Sequence, residues 1–121
     1  MINQKINLKE KFNKISDHWS PKVIAEMNEY QFKLAKVKNK FVWHQHDDTD
    51  ETFIVIKGNL IIEFRDTKVN LGPGEMFVVK KGTEHRPIAN EECEIMLIEP
   101  KGVLNTGNKR NEYTKVNDIW I

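Results

Sequence analysis

Disulfide bonding within the chain is excluded, because its 121 residues hold one cysteine, Cys93. That scarcity fits a reducing compartment, and a cytoplasmic location is expected. Cys93 opens the apolar run Cys93-Glu94-Ile95-Met96-Leu97-Ile98, so its thiol is expected to be buried and inert. No basic segment followed by an apolar one opens the chain, which predicts no signal peptide. No apolar stretch approaches the roughly 20 residues needed to span a bilayer. Charge of one sign is also lacking: 19 basic residues face 18 acidic ones, for a formal net charge of +1. Neither a nucleic acid nor a membrane surface is therefore an expected partner. Repeats and low-complexity segments are absent, and the length suits one domain with a real core.

What is present is a succession of short apolar runs broken by turn residues. Asn7-Leu8-Lys9-Glu10 has the form of a capping box, and Leu8, Phe12 and Ile15 keep helical spacing. A short helix is predicted over 7–15, within an N-terminal extension of residues 1–20. Ser20-Pro21 breaks the chain, and strand texture follows to about residue 100. Val23 and Ile24 start a strand that Asn28-Glu29 turns. Tyr30, Phe32 and Leu34 alternate with Gln31 and Lys33, as in a half-buried strand. Further strands are predicted at 41–46, 52–56, 60–64, 76–79, 86–88 and 93–98. Lys57-Gly58-Asn59 reads as a tight hairpin and Leu71-Gly72-Pro73-Gly74 as a turn. Such a pattern predicts an all-β sandwich or barrel over 21–100. Residues 101–121 form a polar tail ending in Ile119-Trp120-Ile121, which is expected to dock on the barrel or on a partner subunit.

The chemistry concentrates in His44-Gln45-His46-Asp47-Asp48-Thr49-Asp50-Glu51. On a strand, residues i and i+2 share a face, so His44 and His46 can aim two imidazoles at one ion. Loop 47–50 must reset the chain direction for Glu51 to join them. His85, in Gly82-Thr83-Glu84-His85, offers a third imidazole from a distant segment. Three imidazoles and a carboxylate suit one divalent transition metal per subunit (Fe, Mn, Ni, Co, Zn or Cu) better than Mg or Ca. Such a set leaves positions open for water or substrate. The lack of cysteine ligands argues against a zinc-finger-like structural site.

Other residues carry weaker expectations. His18, before Ser20-Pro21, is expected to cap or pack rather than to bind metal. Asp47, Asp48 and Asp50 are expected to form a solvated loop. Phe53, Val55, Ile62, Phe64 and Phe77 either line a pocket or fill the core. Trp43 and Gln45 point away from the two histidines.

These motifs resemble the cupin family. Its first motif, Gly-x5-His-x-His-x3–4-Glu-x6-Gly, is matched by His44, His46, Glu51 and Gly58, with Lys38 in place of the opening Gly. Its second, Gly-x5-Pro-x-Gly-x2-His-x3-Asn, is matched by Gly74, Gly82 and His85, with Lys80 at the Pro and Ala89 at the Asn position. The flanks Asp17-His18-Trp19-Ser20-Pro21-Lys22 and Ile98-Glu99-Pro100-Lys101-Gly102 resemble small bacterial cupins described as mannose-6-phosphate-isomerase-like. The resemblance implies a double-stranded β-helix, a jelly-roll-like barrel with the metal inside its mouth, and a homodimer. It implies a metal-dependent enzyme on a small molecule, isomerase-like or dioxygenase-like. A metal-containing module that binds a small ligand without catalysis is the alternative. A fold-level label does not establish sugar isomerisation.

Overall fold

The computed structural model describes residues 4–121. Helix α1 (Leu8–Phe12) begins where the capping box places it, the Asn7 side chain accepting the Glu10 N–H at 3.0 Å. It ends three residues earlier than expected, at Phe12, although Ile15 N–H still donates to the Phe12 carbonyl. Phe12 and Ile15 are both buried against Ile24 and Leu34, so the apolar stripe, not helix length, sets what this segment covers.

Seven antiparallel strands follow: β1 (Lys22–Met27), β2 (Tyr30–Lys40), β3 (Glu51–Lys57), β4 (Leu60–Glu63), β5 (Lys68–Leu71), β6 (Met76–Val79) and β7 (Arg86–Pro100). One sheet runs β1-β2-β7-β3-β6, and β4 and β5 extend from the first part of β7. The segments 86–88 and 93–98 are thus one strand of 15 residues. Its pairing with β2 shifts register between Val37↔Cys93 and Asn39↔Ala89. That irregularity lets one strand serve two layers. Val37, Phe53, Val55, Leu60, Ile62 and Ile95 fill the space between them.

Three local expectations are corrected. Residues 41–46 form no strand; their only ladder contact among the described residues is an isolated bridge between His44 and His85. Lys57-Gly58-Asn59 turns the chain but closes no hairpin, because β3 pairs with β6 and β7 while β4 pairs with β5 and β7. Gly58 sits where the chain crosses β7: φ is +91°, and a Cβ would lie 3.1 Å from Cys93 Cα and 3.1 Å from the Glu92 carbonyl oxygen. Third, β2 is covered on both faces: Leu34 is buried under α1 as its alternation predicts, but the polar positions are buried as well. Gln31 and Lys33 are 1% and 3% exposed, whereas Tyr30 is 43% exposed. Lys33 pairs with Glu99, and the Gln31 amide donates to the Glu26 and Asp118 carboxylates.

The tail docks on its own barrel. Val23 N–H donates to the Ile119 carbonyl at 2.7 Å, and Ile121 N–H to the Val23 carbonyl at 3.1 Å. Ile121 packs with the α1 cluster, and Lys11 Nζ donates to its carbonyl. Trp120 remains 49% exposed. Among the described residues no helix is long and apolar enough to cross a membrane.

Candidate metal centre

The four expected ligands meet. His44, His46, Glu51 and His85 are all buried, and each offers an atom within 4.8 Å of the others. His44 and His46 lie in the irregular segment before β3, Glu51 is the first residue of β3, and His85 immediately precedes β7. Backbone hydrogen bonds lock these segments together. His44 and His85 exchange N–H and carbonyl at 3.0 and 2.9 Å, and Gly82 N–H donates to the His46 carbonyl at 2.8 Å. Loop 47–50 does reset the direction of Glu51, helped by Asp50, whose carboxylate accepts the Lys81 N–H at 2.9 Å.

The rings are aimed by their own backbone. Nδ1 of His44 lies 2.9 Å from the Val42 carbonyl, and Nδ1 of His85 lies 2.9 Å from the Thr83 carbonyl. A carbonyl only accepts, so each Nδ1 carries the proton and each Nε2 presents its lone pair. Glu51 Oε1 stands 3.2 Å from His46 Nε2 and 3.4 Å from His85 Nε2. These three atoms are buried without a hydrogen-bond partner. Leaving buried polar atoms unpaired costs on the order of 1–3 kcal/mol each. A cation would satisfy all three at once, so the donor set fits a metal.

The electrostatics agree. Burial, reinforced by the nearby His85, pulls the His44 pKa down to about 4, so the ring is neutral near pH 7. Burial pushes the Glu51 carboxyl up, but the imidazoles of His46 and His85 outweigh it and hold Glu51 well below the usual carboxylate range. His44 therefore offers a neutral nitrogen and Glu51 an ionised oxygen, protonation states that metal binding requires.

A small cavity of about 30 Å³ adjoins the cluster, walled by Phe41, Phe53, Ile95 and Leu97 and reached by His44 and Glu51. That is room for only about two water molecules. Of the pocket candidates in the sequence, Phe53 lines it, Val55 and Ile62 are core, and Phe64 packs on Phe77 at 5.8 Å.

Residues outside the motifs also reach the site region. Lys33 Nζ and Glu99 Oε2 form a buried pair at 3.5 Å. Burial and the neighbouring Glu51 carboxylate push the Glu99 carboxyl well above its usual range, against the pull of Lys33. Sequence reasoning missed both residues. The available signal was a lysine alternating within a strand whose other face is apolar. His18 takes no part: its Nε2 is 2.7 Å from Glu92 Oε2 at the surface. Trp43 points away from the cluster, with the Arg65 and Arg86 guanidiniums 3.8 and 4.8 Å from its ring centre. Cys93 is buried, its thiol pushed up to about 11 by burial and the nearby Glu94, so it is inert.

Comparison with known proteins places these observations in a family. The family model described as "Cupin domain" matches residues 31–99. A cupin-2 domain-containing protein from Shewanella frigidimarina is 60% identical in the aligned region, covering 79% of this chain and 94% of that one, with a TM-score of 0.78. Protein NMB1881 from Neisseria meningitidis is 31% identical over 81% of this chain and all (100%) of its own, with a TM-score of 0.74. The uncharacterized protein YdbB of Bacillus subtilis (strain 168) is 35% identical over 75 residues, which are 61% of this chain and 66% of YdbB. The chain thus matches just under two thirds of the length of that curated relative. The two cupin motifs, the barrel and the family match coincide over one stretch of chain, and the protein belongs to the cupin family.

Proposed function

We propose that the protein is a metal-dependent enzyme acting on a small molecule. His44, His46, Glu51 and His85 would hold one divalent transition metal. The observation that carries this reading is the convergence of buried, unpartnered ligand atoms beside an apolar cavity. When bound, the metal would supply Lewis acidity or redox chemistry at coordination positions the four side chains leave open. The chain's own residues do the rest. Val42 and Thr83 hold the His44 and His85 rings in their binding tautomers, and the aromatic and aliphatic wall limits the water beside them.

The two reaction classes make different demands on the residues around the metal. Among the described residues, His44 and Glu51 are the titratable groups lining the cavity. A phosphorylated sugar would need cations to hold its phosphate. Isomerisation would also need a base besides the ligands. Neither lines this two-water cavity, but Lys101, Asp47 and Asp48 line a larger groove that reaches His46, so isomerase-like and dioxygenase-like chemistry on a small molecule both fit the site. Dioxygenase-like chemistry asks only for open positions and a redox metal. The scarcity of other reactive groups also supports the second reading, a metal-containing module that captures a small ligand without catalysis. Metal analysis of the purified protein, followed by oxygen uptake on a panel of aromatic and hydroxylated compounds, tests the proposal. Metal uptake with no turnover on any compound would favour the binding module. Absence of metal uptake would refute both.

A further inference from the structure

The polar tail does more than dock its last residues on β1: its middle part lies against the histidine pair. Asn108 N–H donates to the Gln45 carbonyl at 2.9 Å, and Asn108 Oδ1 accepts the Gln45 N–H at 3.2 Å. Gln45 is the residue between the two ligands. The backbone of His44 is tied to His85 and that of His46 to Gly82, but the edge at Gln45 faces the other way and is paired by Asn108. Gly107 comes closer still. Its φ is +57°, and a Cβ there would fall 2.2 Å from Gln45 O and 3.2 Å from His46 Nδ1. Any side chain at 107 would therefore displace the backbone of the His-x-His segment or the His46 ring.

His46 needs such a backing. The other two rings are aimed by an Nδ1–H bond to the carbonyl two residues back. For His46 that carbonyl belongs to His44, and it already accepts the His85 N–H. The tail is itself firmly moored. Asn105 Nδ2 donates to the Trp19 and Tyr113 carbonyls at 3.0 and 2.8 Å, and Asn105 Oδ1 accepts the Lys115 N–H. Tyr113 packs edge-on against Phe41, which packs edge-on against His44. The same tail walls one side of a surface groove of about 340 Å³ that reaches His46, with Asp47–Thr49 opposite.

We propose that Gly107 and Asn108 are positioning residues for the metal: the 104–109 strap holds His46 and the Gln45 backbone in ligating geometry, so strap order and metal affinity rise and fall together. This rests on the metal-site reading above. Supporting contacts around metal ligands are worth roughly 10–100-fold in affinity, and linkage makes the coupling reciprocal.

The probe is Co2+, followed by its d–d absorption and by competition with a chelator. Asn108→Ala and Gly107→Ala should each weaken Co2+ binding roughly 10–100-fold and alter the Co2+ spectrum. Asn108→Asp keeps the accepting oxygen and should restore most of the affinity. Gly102→Ala is the matched control. Gly102 also has positive φ, at +86°, but nothing lies within 4 Å of its would-be Cβ; that variant should bind like wild type. In the wild type, Co2+ should slow tryptic cleavage after Lys109 and Arg110, which are exposed. If Gly107→Ala does not fold, Asn108→Ala decides. Wild-type Co2+ affinity in Asn108→Ala, or cleavage indifferent to Co2+, overturns the strap while leaving the metal site standing. No Co2+ uptake by the wild type overturns both.

Discussion

His44 and His85 hold each other by a reciprocal pair of backbone hydrogen bonds, 3.0 and 2.9 Å long, with their rings 4.4 Å apart. Two far-separated segments are thereby stapled at the point where their imidazoles must converge. His85 is fully buried and comes from the segment leading into β7, so its removal should open the centre on that side. His85→Ala and His46→Ala should both lose bound metal, measured by elemental analysis after purification. Retention of wild-type metal content by both would contradict the assignment. A ligand that binds only the native state stabilises it by about 2.7 kcal/mol at a hundredfold excess over Kd. A chelator should therefore lower the melting temperature of the wild type and leave that of His85→Ala unmoved.

Glu51 should tune the centre rather than supply most of its affinity. Glu51→Gln keeps the size and removes the charge that the site otherwise places on the metal. The variant should fold, as judged by circular dichroism, and keep more metal than His85→Ala. Equal losses from the two substitutions would make the carboxylate a primary determinant of affinity. No change in Glu51→Gln would place Glu51 outside the coordination set.

Acid should weaken the fold and the site together. The His44 pKa falls from 6.5 to about 4 on folding. Between those values the unfolded chain binds the proton and the folded chain does not, so stability rises with pH across that window. The contribution is fully present above about 6.5 and is lost as pH falls toward about 4, an effect on the order of 3 kcal/mol. Glu51, held low by its imidazole neighbours, adds a loss at still lower pH. Denaturant unfolding of the metal-free protein from pH 7 to 4 measures this. A flat profile would show that His44 is not buried as a neutral ring.

The buried Lys33–Glu99 pair should be costly to break from one side. Lys33→Met leaves the buried Glu99 carboxyl beside Glu51 without its cation and should destabilise by about 3 kcal/mol. Because Glu99 can then fold only by taking up a proton, the loss should grow as pH rises above the normal carboxylate range. The double variant Lys33→Met/Glu99→Gln should recover most of the stability. A double-mutant cycle with no coupling would mean that the two groups act independently.

We propose a homodimer on the strength of the outer sheet face. There Met96, Ile54 and Met76 form one cross-strand row, and Met76 is 54% exposed. Light scattering at micromolar concentration should give twice the chain mass, and Met76→Glu should lower it. A wild-type monomer would contradict the proposal. Deleting residues 117–121 should lower the melting temperature without abolishing association, since Ile121 packs on its own barrel.

The ligand types, the His-x-His spacing and the apolar runs were readable along the chain because each is a local property of side-chain chemistry and strand period. Those features predict an all-β sandwich or barrel and single out His44, His46, Glu51 and His85, while the cupin barrel follows from the resemblance of the two motifs. The missing strand at 41–46 and the absent hairpin at Gly58 depended on pairing with distant segments. The burial of Gln31 and Lys33 escaped the sequence for a related reason. Alternation shows that a strand has two faces, but not that both are covered. Likewise the polar tail carries no periodic signal. Gly107 against His46 and Asn108 against Gln45 become contacts only once the barrel has brought residues more than sixty positions apart into one layer. Local chemistry chose the ligands; long-range packing decided how they are held.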